Sequence, residues 1–194
     1  MSSISEQLMT AEEFLEWTLR EENHDRFFEL VRGEVVEMPP AGRYHGFICL
    51  NVGSILRTYA ARHGKGYACG NDSGVLIERE PDTVRGPDVS YYEDAQTAAE
   101  IDRGYGEHPP RLAVEVISPH DRVNQILQRV AELLRAGVEV VWVVDPEARD
   151  VSVCQLGKEP RLFSAEDTLT CEDVLPGFSC KVAEFFALPG SPAA

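Results

Sequence analysis

The sequence lacks the features that mark membrane and secreted proteins. Its 194 residues contain no apolar run close to the ~20 residues that a membrane-spanning helix needs. The opening residues, MSSISEQLMTAEEF, have no basic segment followed by an apolar one, so they do not predict a secretory signal. We therefore expect a cytoplasmic protein with no membrane partner. An apolar fraction of 43% and a charged fraction of 26% exclude a disordered or collagen-like chain.

Cysteine is sparse and poorly spaced for zinc binding or cross-linking. The five cysteines form no CxxC pair and are spread along the chain as Cys49, Cys69, Cys154, Cys171 and Cys180. A zinc site needs ligands clustered at short spacings, and a disulfide framework does not suit this setting. We expect reduced cysteines, mostly buried as small apolar side chains.

Positive charge is also in short supply. The chain has 33 acidic and 18 basic residues, which gives a net charge of −15. Such a protein repels nucleic acid at long range. The imbalance is uneven, because residues 41–80 carry three acids and five bases, and residues 122–149 carry four of each. A polyanion would have to approach through these two stretches.

Hydrophobic periodicity predicts a single domain of the α/β class over residues 10–187, with flexible ends at 1–9 and 188–194. A capping box formed by Thr10 and Glu13 opens a first helix. After this helix in the chain we expect a β-hairpin and then a mixed β-sheet flanked by helices.

A strand–helix–strand unit in the second half is the clearest structural signal. LAVEVIS is a continuous β-rich run, typical of a strand buried on both faces. An amphipathic helix follows over residues 122–136, and VEVVWVV forms the next strand. The unit predicts two parallel neighbouring strands with a right-handed crossover. Earlier elements are a hairpin around Arg32-Gly33, a helix from His45 to Arg62, and short strands in GYAC, GVLIE and DVSYY.

Two acids occupy positions where apolar residues would be more stable. Glu115 lies in the middle of LAVEVIS, where burial costs several kcal/mol unless the carboxylate is paired, protonated or metal-bound. Asp88 follows Gly86-Pro87, where a second strand can bring another acid beside it. Two converging carboxylates are the minimum ligand set for Mg²⁺. The simpler interpretation is that Asp88 caps a turn and Glu115 faces an arginine.

Glu29 and His45 are further candidates. Glu29 lies in an apolar strand, and it either joins the acid cluster or faces water at a sheet edge. His45 begins a helix after a glycine-containing turn, and it is either a substrate contact or a structural or exposed residue.

Several short motifs follow one another in a fixed order along nearly the whole chain, roughly residues 10–187. The more specific ones are the Pro-Asp step, the buried Val-Glu-Val-x-Ser and Trp-x-x-Asp-Pro. The full set is Glu29, Gly33, His45, Gly86-Pro87-Asp88-Val89, Val114 to Ser118, Ala136-Gly137-Val138, Trp142 to Pro146, and Leu175 to Phe178. In this order the set resembles the Uma-type putative restriction endonuclease family of the PD-(D/E)XK nuclease superfamily.

The resemblance implies a restriction-endonuclease-like fold and an Mg²⁺-dependent phosphodiesterase, with Mn²⁺ as a substitute. Asp88 and Glu115 match the acids that hold the metal, together with the backbone carbonyl of Val116. Glu29 matches an acid contributed by the N-terminal region. A metal-activated water would attack the phosphorus of a nucleic acid, with DNA as the expected substrate.

The lysine of the superfamily motif is absent, because Ile117 stands at its position. In this family the lysine usually moves to the following helix, to the position held here by Arg129. Helical spacing places Arg129 at the boundary of the packed face, from which its guanidinium could reach Glu115. Arginine can stabilise charge there but cannot act as a general base. The alternative is a surface residue paired with Gln125 or Glu132.

The loop after LAVEVIS supplies further expected substrate contacts, because α/β folds place ligands at the carboxyl ends of strands. These contacts are Ser118, His120 and Arg122, and Arg122 shares a helix flank with Arg129. The alternative is that Ser118 or Asp121 caps the helix that begins near Arg122.

Three functions remain open at this point. The first is an active metal-dependent endonuclease, and the second is a catalytically degenerate nuclease fold that serves as a binding or assembly module. The third is a metal-dependent hydrolase of a small phosphate compound, which suits the acidic charge. We also expect a homodimer, because VSVCQL has the pattern of an exposed edge strand and two-fold dimers are common.

Overall fold

The computed structural model describes residues 8–106, 108–119, 121–188 and 190. The flexible ends predicted at 1–9 and 188–194 fall largely outside this part, and the domain bounds stay a prediction. In chain order the elements are α1 (Ala11–Thr18), β1 (Phe27–Val31), β2 (Glu34–Met38), α2 (Arg43–His63), β3 (Tyr67–Gly70), β4 (Val75–Glu78), β5 (Thr83–Arg85), β6 (Val89–Tyr92), β7 (Leu112–Val116), α3 (Val123–Arg135), β8 (Val140–Asp145), β9 (Asp150–Cys154), β10 (Arg161–Ser164), β11 (Thr168–Thr170), β12 (Ser179–Lys181) and α4 (Ala183–Phe186).

An antiparallel four-stranded sheet, in the order β2-β1-β5-β4, forms the N-terminal layer. The predicted capping box opens α1, since Glu13 N–H donates to Thr10 Oγ1 and Thr10 N–H donates to Glu13 Oε2. The predicted hairpin turns at Arg32-Gly33, where both residues have positive φ, as a tight two-residue loop requires. Apolar residues of α1 then pack on β1 and β5.

The second layer is a six-stranded sheet in the order β10-β9-β8-β7-β6-β3. β7 and β8 are parallel and joined through α3, while the other described pairs are antiparallel. The predicted strand–helix–strand unit and the mixed α/β fold are therefore confirmed. The helix α2 and the C-terminal segment with α4 cover one face of this sheet, and α3 covers the other.

The alternation of side chains along β7 determines the face of the sheet on which Glu115 lies. Leu112, Val114 and Val116 belong to the core shared with α2, whereas Ala113 belongs to the core shared with α3. Successive side chains of a strand point to opposite faces. Glu115 therefore lies on the α3 side, next to the residues that the helix presents to the sheet.

The prediction of an exposed edge strand is wrong. β9 lies between β8 and β10, so VSVCQL is not an edge strand and offers no argument for a homodimer. The apolar stripe of α3 is buried only from Val130 onward, while Val123 and Leu127 are 70% and 62% exposed. Ile126 lines the cleft and also packs against the core beneath α3, whereas Val123 and Leu127 do neither.

The remaining sequence expectations concern cysteines and membrane spans. All five cysteines are free, as predicted, but only Cys171 and Cys180 are buried and the others are half-buried. No helix in the described ranges is long and apolar enough to cross a bilayer.

Candidate functional site

A cleft of about 1180 Å³ opens where the hairpin, α2, α3 and the ends of β6 and β7 meet. It brings together most of the residues that the sequence singles out, although they are far apart in the chain. Its lining includes Glu29, His45, Asp88, Glu115, Val116, Ser118 and Arg129. Asp88 and Glu115 therefore face one cleft, where the charge of Asp88 acts on Glu115.

Asp88 lies where the chain crosses from the N-terminal sheet to the central sheet. Gly86-Pro87 separates β5 from β6, and Asp88 is the residue just before β6. Its Oδ2 accepts a hydrogen bond of 2.6 Å from the backbone N–H of Val116, and its Oδ1 lies 3.3 Å from His45 Nε2. Asp88 is therefore fixed by β7 and α2, and the interpretation of a simple turn cap is wrong.

His45 projects from the first turn of α2 towards the same point. Its Nε2–H donates to the carbonyl of Val116 at 3.0 Å, and its Nδ1 lies 3.4 Å from Cys49 Sγ. The hydrogen bond to Asp88, with further support from Cys49, raises the pKa of His45 to about 11 despite its partial burial. His45 thus places a positive charge against two oxygens at the end of β7.

Glu29 and Glu115 share the guanidinium of Arg129. Arg129 Nε donates to Glu115 at 3.0 Å, and Nη1 donates to both oxygens of Glu29 at 2.7 and 2.9 Å. Its Nη2 also donates to the carbonyl of Gly86 at 3.2 Å. The predicted reach of Arg129 to Glu115 is confirmed, and the alternative pairing with Gln125 or Glu132 is wrong.

Sequence reasoning missed the second arginine of this network. Arg85, on the three-residue strand β5, donates to Glu29 at 2.8 Å and to Glu132 at 2.7 Å. Glu29 also accepts from the N–H of Gly86 at 3.0 Å and is only 4% exposed, so it does not face water. A strand as short as β5 gives no alternation from which its side-chain directions could be predicted.

The pKa values of the two acids bound to Arg129 are shifted in opposite directions. Burial raises the pKa of Glu115 to about 7, because the opposing attraction of Arg129 is too small and the charge of Asp88 adds to the shift. Burial acts on Glu29 too, but Arg129, the N–H of Gly86 and Arg85 together lower its pKa. Glu115 is thus the acid of this pair that readily exchanges a proton near neutral pH.

Asp72 is a further cleft residue that the sequence did not reveal. It lies in the loop between β3 and β4 and lines the cleft. Burial and the charge of Asp88 raise its pKa to about 6, although His45 and Arg129 oppose the shift. A Cβ on Gly86 would lie 2.6 Å from the carbonyl oxygen of Asp72, so the glycine allows this loop to approach. Only an Asn-Asp turn marks the position in the sequence.

The loop after β7 differs from expectation. The N–H of Ser118 donates to Asp121 Oδ2 at 2.7 Å, which closes the turn, and α3 begins at an Arg122 N-cap without a side-chain cap bond. The interpretation that Ser118 or Asp121 caps α3 is therefore wrong. Ser118 lines the cleft, whereas Arg122 is exposed and lies outside the lining. His120 falls outside the described residues.

A trio of ligand-type side chains sits in one corner of the cleft. His45, Cys49 and Asp88 each bring one ligand-type atom within 4.8 Å of the other two. Spacing along the chain does not predict this trio, because three strands, β3, β4 and β5, separate Asp88 from the two α2 residues. The donors combine a nitrogen, a sulfur and a carboxylate oxygen beside the carbonyl of Val116.

Comparisons with known proteins agree on family and fold. Residues 11–183 match the Uma2 family model, which is described as "Putative restriction endonuclease". A crystal structure of "a putative nuclease belonging to DUF820" from Anabaena variabilis superposes with a TM-score of 0.74 at 17% identity, covering 92% of this chain and 97% of that chain. No curated protein matches the chain. The structural likeness confirms the predicted restriction-endonuclease-like fold.

Proposed function

Because the chain belongs to the Uma2 family of restriction-endonuclease-like proteins, we propose that it is a divalent-metal-dependent endonuclease that hydrolyses phosphodiester bonds of DNA. The observation that carries the proposal is the convergence of Asp88, Glu115 and the Val116 carbonyl in one cleft, with Arg129 beside them. A merely structural role would not require four acids and two arginines to be gathered at the open end of a sheet.

The oxygen donors of the cleft, from Asp88, Glu115 and the Val116 carbonyl, fit a hard divalent cation. The ladder between β6 and β7 ends at Val89 and Val114, so the backbone groups of Val116 are met by Asp88 and His45 instead of a strand. Asp88, Glu115 and the Val116 carbonyl would hold Mg²⁺ or Mn²⁺ through oxygen. Such a cation would lower the pKa of a bound water and stabilise charge on the phosphate oxygens.

His45 fits a metal-binding role better than the substrate contact expected from the sequence. Its Nε2 already lies against two of the oxygens that would hold the cation. In the metal-free protein the imidazolium supplies positive charge at that point. After losing its proton, the ring would be a nitrogen donor, and nitrogen donors favour Mn²⁺ over Mg²⁺.

Arg129 is proposed to hold both carboxylates in position and to offset negative charge on the scissile phosphate. Its ion pairs raise its pKa, so the group stays protonated at any working pH. Arg129 therefore cannot act as a general base, and a base must come from elsewhere. Ser118 is the remaining predicted substrate contact that lines the cleft.

Metal binding can be tested by thermal unfolding in EDTA, Mg²⁺ and Mn²⁺. A cation at about 100 times its Kd should stabilise the wild type by about 2.7 kcal/mol, which corresponds to roughly 5–10 °C in Tm for a chain of this size. Asp88→Asn should lose this rise. Asp145→Asn is the matched control, because Asp145 accepts hydrogen bonds from the turn at Glu147 and Ala148 and is not part of the cleft lining.

Hydrolysis can be tested on supercoiled plasmid and on circular single-stranded DNA with Mn²⁺. The proposal expects cleavage of at least one substrate by the wild type and by Asp145→Asn, and none by Asp88→Asn. Metal-induced stabilisation without cleavage of either DNA would contradict the endonuclease assignment. If the metal stabilised neither the wild type nor the variants, a binding or assembly module would explain the fold better.

A further inference from the structure

One wall of the cleft is an apolar strip on the hairpin. The register pairs Phe27 with Met38 and Glu29 with Val36, so these four side chains project from the same face. Phe27 and Val36 are 43% and 40% exposed, and both line the cleft together with Met38. The buried carboxylate of Glu29 is therefore bordered by apolar side chains that lead out to solvent.

The α2 side of the cleft carries an exposed apolar side chain and leaves room for a ligand. Leu50 lines the cleft and is 72% exposed. Gly42 and Gly46 line it as well, and a Cβ at either position would meet no atom within 4 Å. A flat group can thus approach the α2 backbone from the cleft side.

The charges that line the cleft do not suit a surface built to neutralise phosphates. The lining contains three arginines, the His45 imidazolium, which is engaged by Asp88, and five acids, the acids being Glu29, Asp72, Asp88, Glu115 and Asp121. Arg85 and Arg129 are both engaged by buried carboxylates. Within the described chain this leaves Arg57, exposed on α2, as the lining arginine without an ion pair.

From this we infer that the cleft binds a nucleic-acid strand whose bases are unpaired, with a base seated on the strip formed by Phe27, Val36 and Met38. The inference rests on the proposed function and narrows its substrate class. A duplex presents phosphates outward and keeps its base faces stacked, so it would meet apolar walls with its charged surface. An unpaired base presents an apolar π-face, which stacks on aromatic side chains without requiring many cations.

The direct test is fluorescence anisotropy of labelled oligonucleotides in Ca²⁺, which occupies oxygen sites while cleavage is slow. The probes are a 20-nucleotide oligo(dT), the same strand annealed to oligo(dA), and oligo(U). We expect oligo(dT) or oligo(U) to bind at least tenfold more tightly than the duplex. The salt dependence should have a log–log slope of about −1, because few phosphates are neutralised. Equal or tighter binding of the duplex, or a slope steeper than about −4, would overturn the inference.

Variants locate the base on the strip. Phe27→Ala should weaken oligo(dT) binding about fivefold or more, as expected for the loss of one stacked base, and Phe27→Trp should restore it. Leu162→Ala is the matched control, since Leu162 is 66% exposed on β10, away from the cleft lining. Circular dichroism and Tm confirm that each variant is folded. Unchanged binding by folded Phe27→Ala would overturn the proposed seat.

The same assay separates this inference from the proposed endonuclease function. Phe27→Ala should weaken oligo(dT) binding while keeping the metal-induced rise in Tm, because Phe27 lines the cleft but is not among the proposed metal ligands. Cleavage of plasmid alone, with weak binding of oligo(dT), would reject the inference and leave the endonuclease intact. Tight binding of oligo(dT) without metal-dependent cleavage would reject the endonuclease and leave the binding mode intact.

Discussion

The replacement of Glu115 by glutamine should stabilise the metal-free protein at alkaline pH. Burial raises the pKa of Glu115 to about 7, from the 4.5 of an ordinary glutamate. For an acid whose pKa is raised on folding, the associated stability is fully present below the unfolded pKa and is lost as pH rises through the folded pKa. This rise of the pKa therefore costs the ionised wild type at most about 3–4 kcal/mol once the pH is well above 7. It is an upper bound because the side chain keeps 12% exposure to the water-accessible cleft.

Glu115→Gln keeps the size of the side chain and removes the ionisation. Urea denaturation in EDTA should give the variant a small advantage near pH 5 that grows by up to about 2 kcal/mol between about pH 5.5 and 8. Glu29→Gln is the matched control with the opposite sign, because the pKa of Glu29 is lowered by Arg129 and Arg85 and its charge supports folding. Destabilisation by Glu115→Gln at pH 8, or the same sign for both variants, would refute the reasoning.

Three further variants test other parts of the site. Arg129→Ala should destabilise the metal-free protein by about 3 kcal/mol or more, because two buried carboxylates lose their shared partner; urea denaturation measures it, and a change below about 1 kcal/mol would contradict the network. Arg129→Lys should retain or raise the DNA cleavage rate relative to Arg129→Ala if the arginine stands in for the missing motif lysine, and equal rates would contradict this. Gly86→Ala should lower the free energy of unfolding by about 1–3 kcal/mol, since its Cβ would lie 2.6 Å from the Asp72 carbonyl oxygen. Gly157→Ala is the control that separates steric contact from backbone strain, because Gly157 has open space around it but a positive φ. A Tm for Gly86→Ala equal to that of the wild type would show that the loop moves to accommodate the Cβ.

Local patterns predicted the elements but only part of the site. The runs LAVEVIS and VEVVWVV and the helix between them are long and regular, so the parallel unit β7-α3-β8 follows from the sequence. The family resemblance pointed to the position of Arg129, and helix geometry with one neighbouring strand then predicted that it reaches Glu115. Arg85 and Asp72 were missed because β5 has three residues and the loop before β4 has no periodicity. Their positions depend on how two sheets meet, which no local pattern contains.

The edge-strand prediction failed for a similar reason. VSVCQL alternates as a half-exposed strand does, and the observed burial of β9 alternates as well. Alternation reports that one face of a strand is exposed, but it does not report whether both edges are paired. β10 covers the second edge of β9, and a strand pattern does not by itself say which neighbour the strand pairs with.

The charges of the cluster explain why its titration and its proposed function are linked. Four acids, Glu29, Asp72, Asp88 and Glu115, face Arg85, Arg129 and the His45 imidazolium, and Arg85 is also shared with Glu132. The two arginines carry less positive charge than the four acids carry negative charge. The excess negative charge is offset by the raised pKa values of Glu115 and Asp72 and by the proton held on His45. Protons therefore occupy the place that a divalent cation would take.

A cation that bound Asp88 and Glu115 would have to displace these protons, so metal binding should release protons between pH 6 and 8. Calorimetric titrations in buffers of different ionisation enthalpy should therefore give different apparent enthalpies. Identical enthalpies in all buffers would mean that the metal and these protons do not share a site.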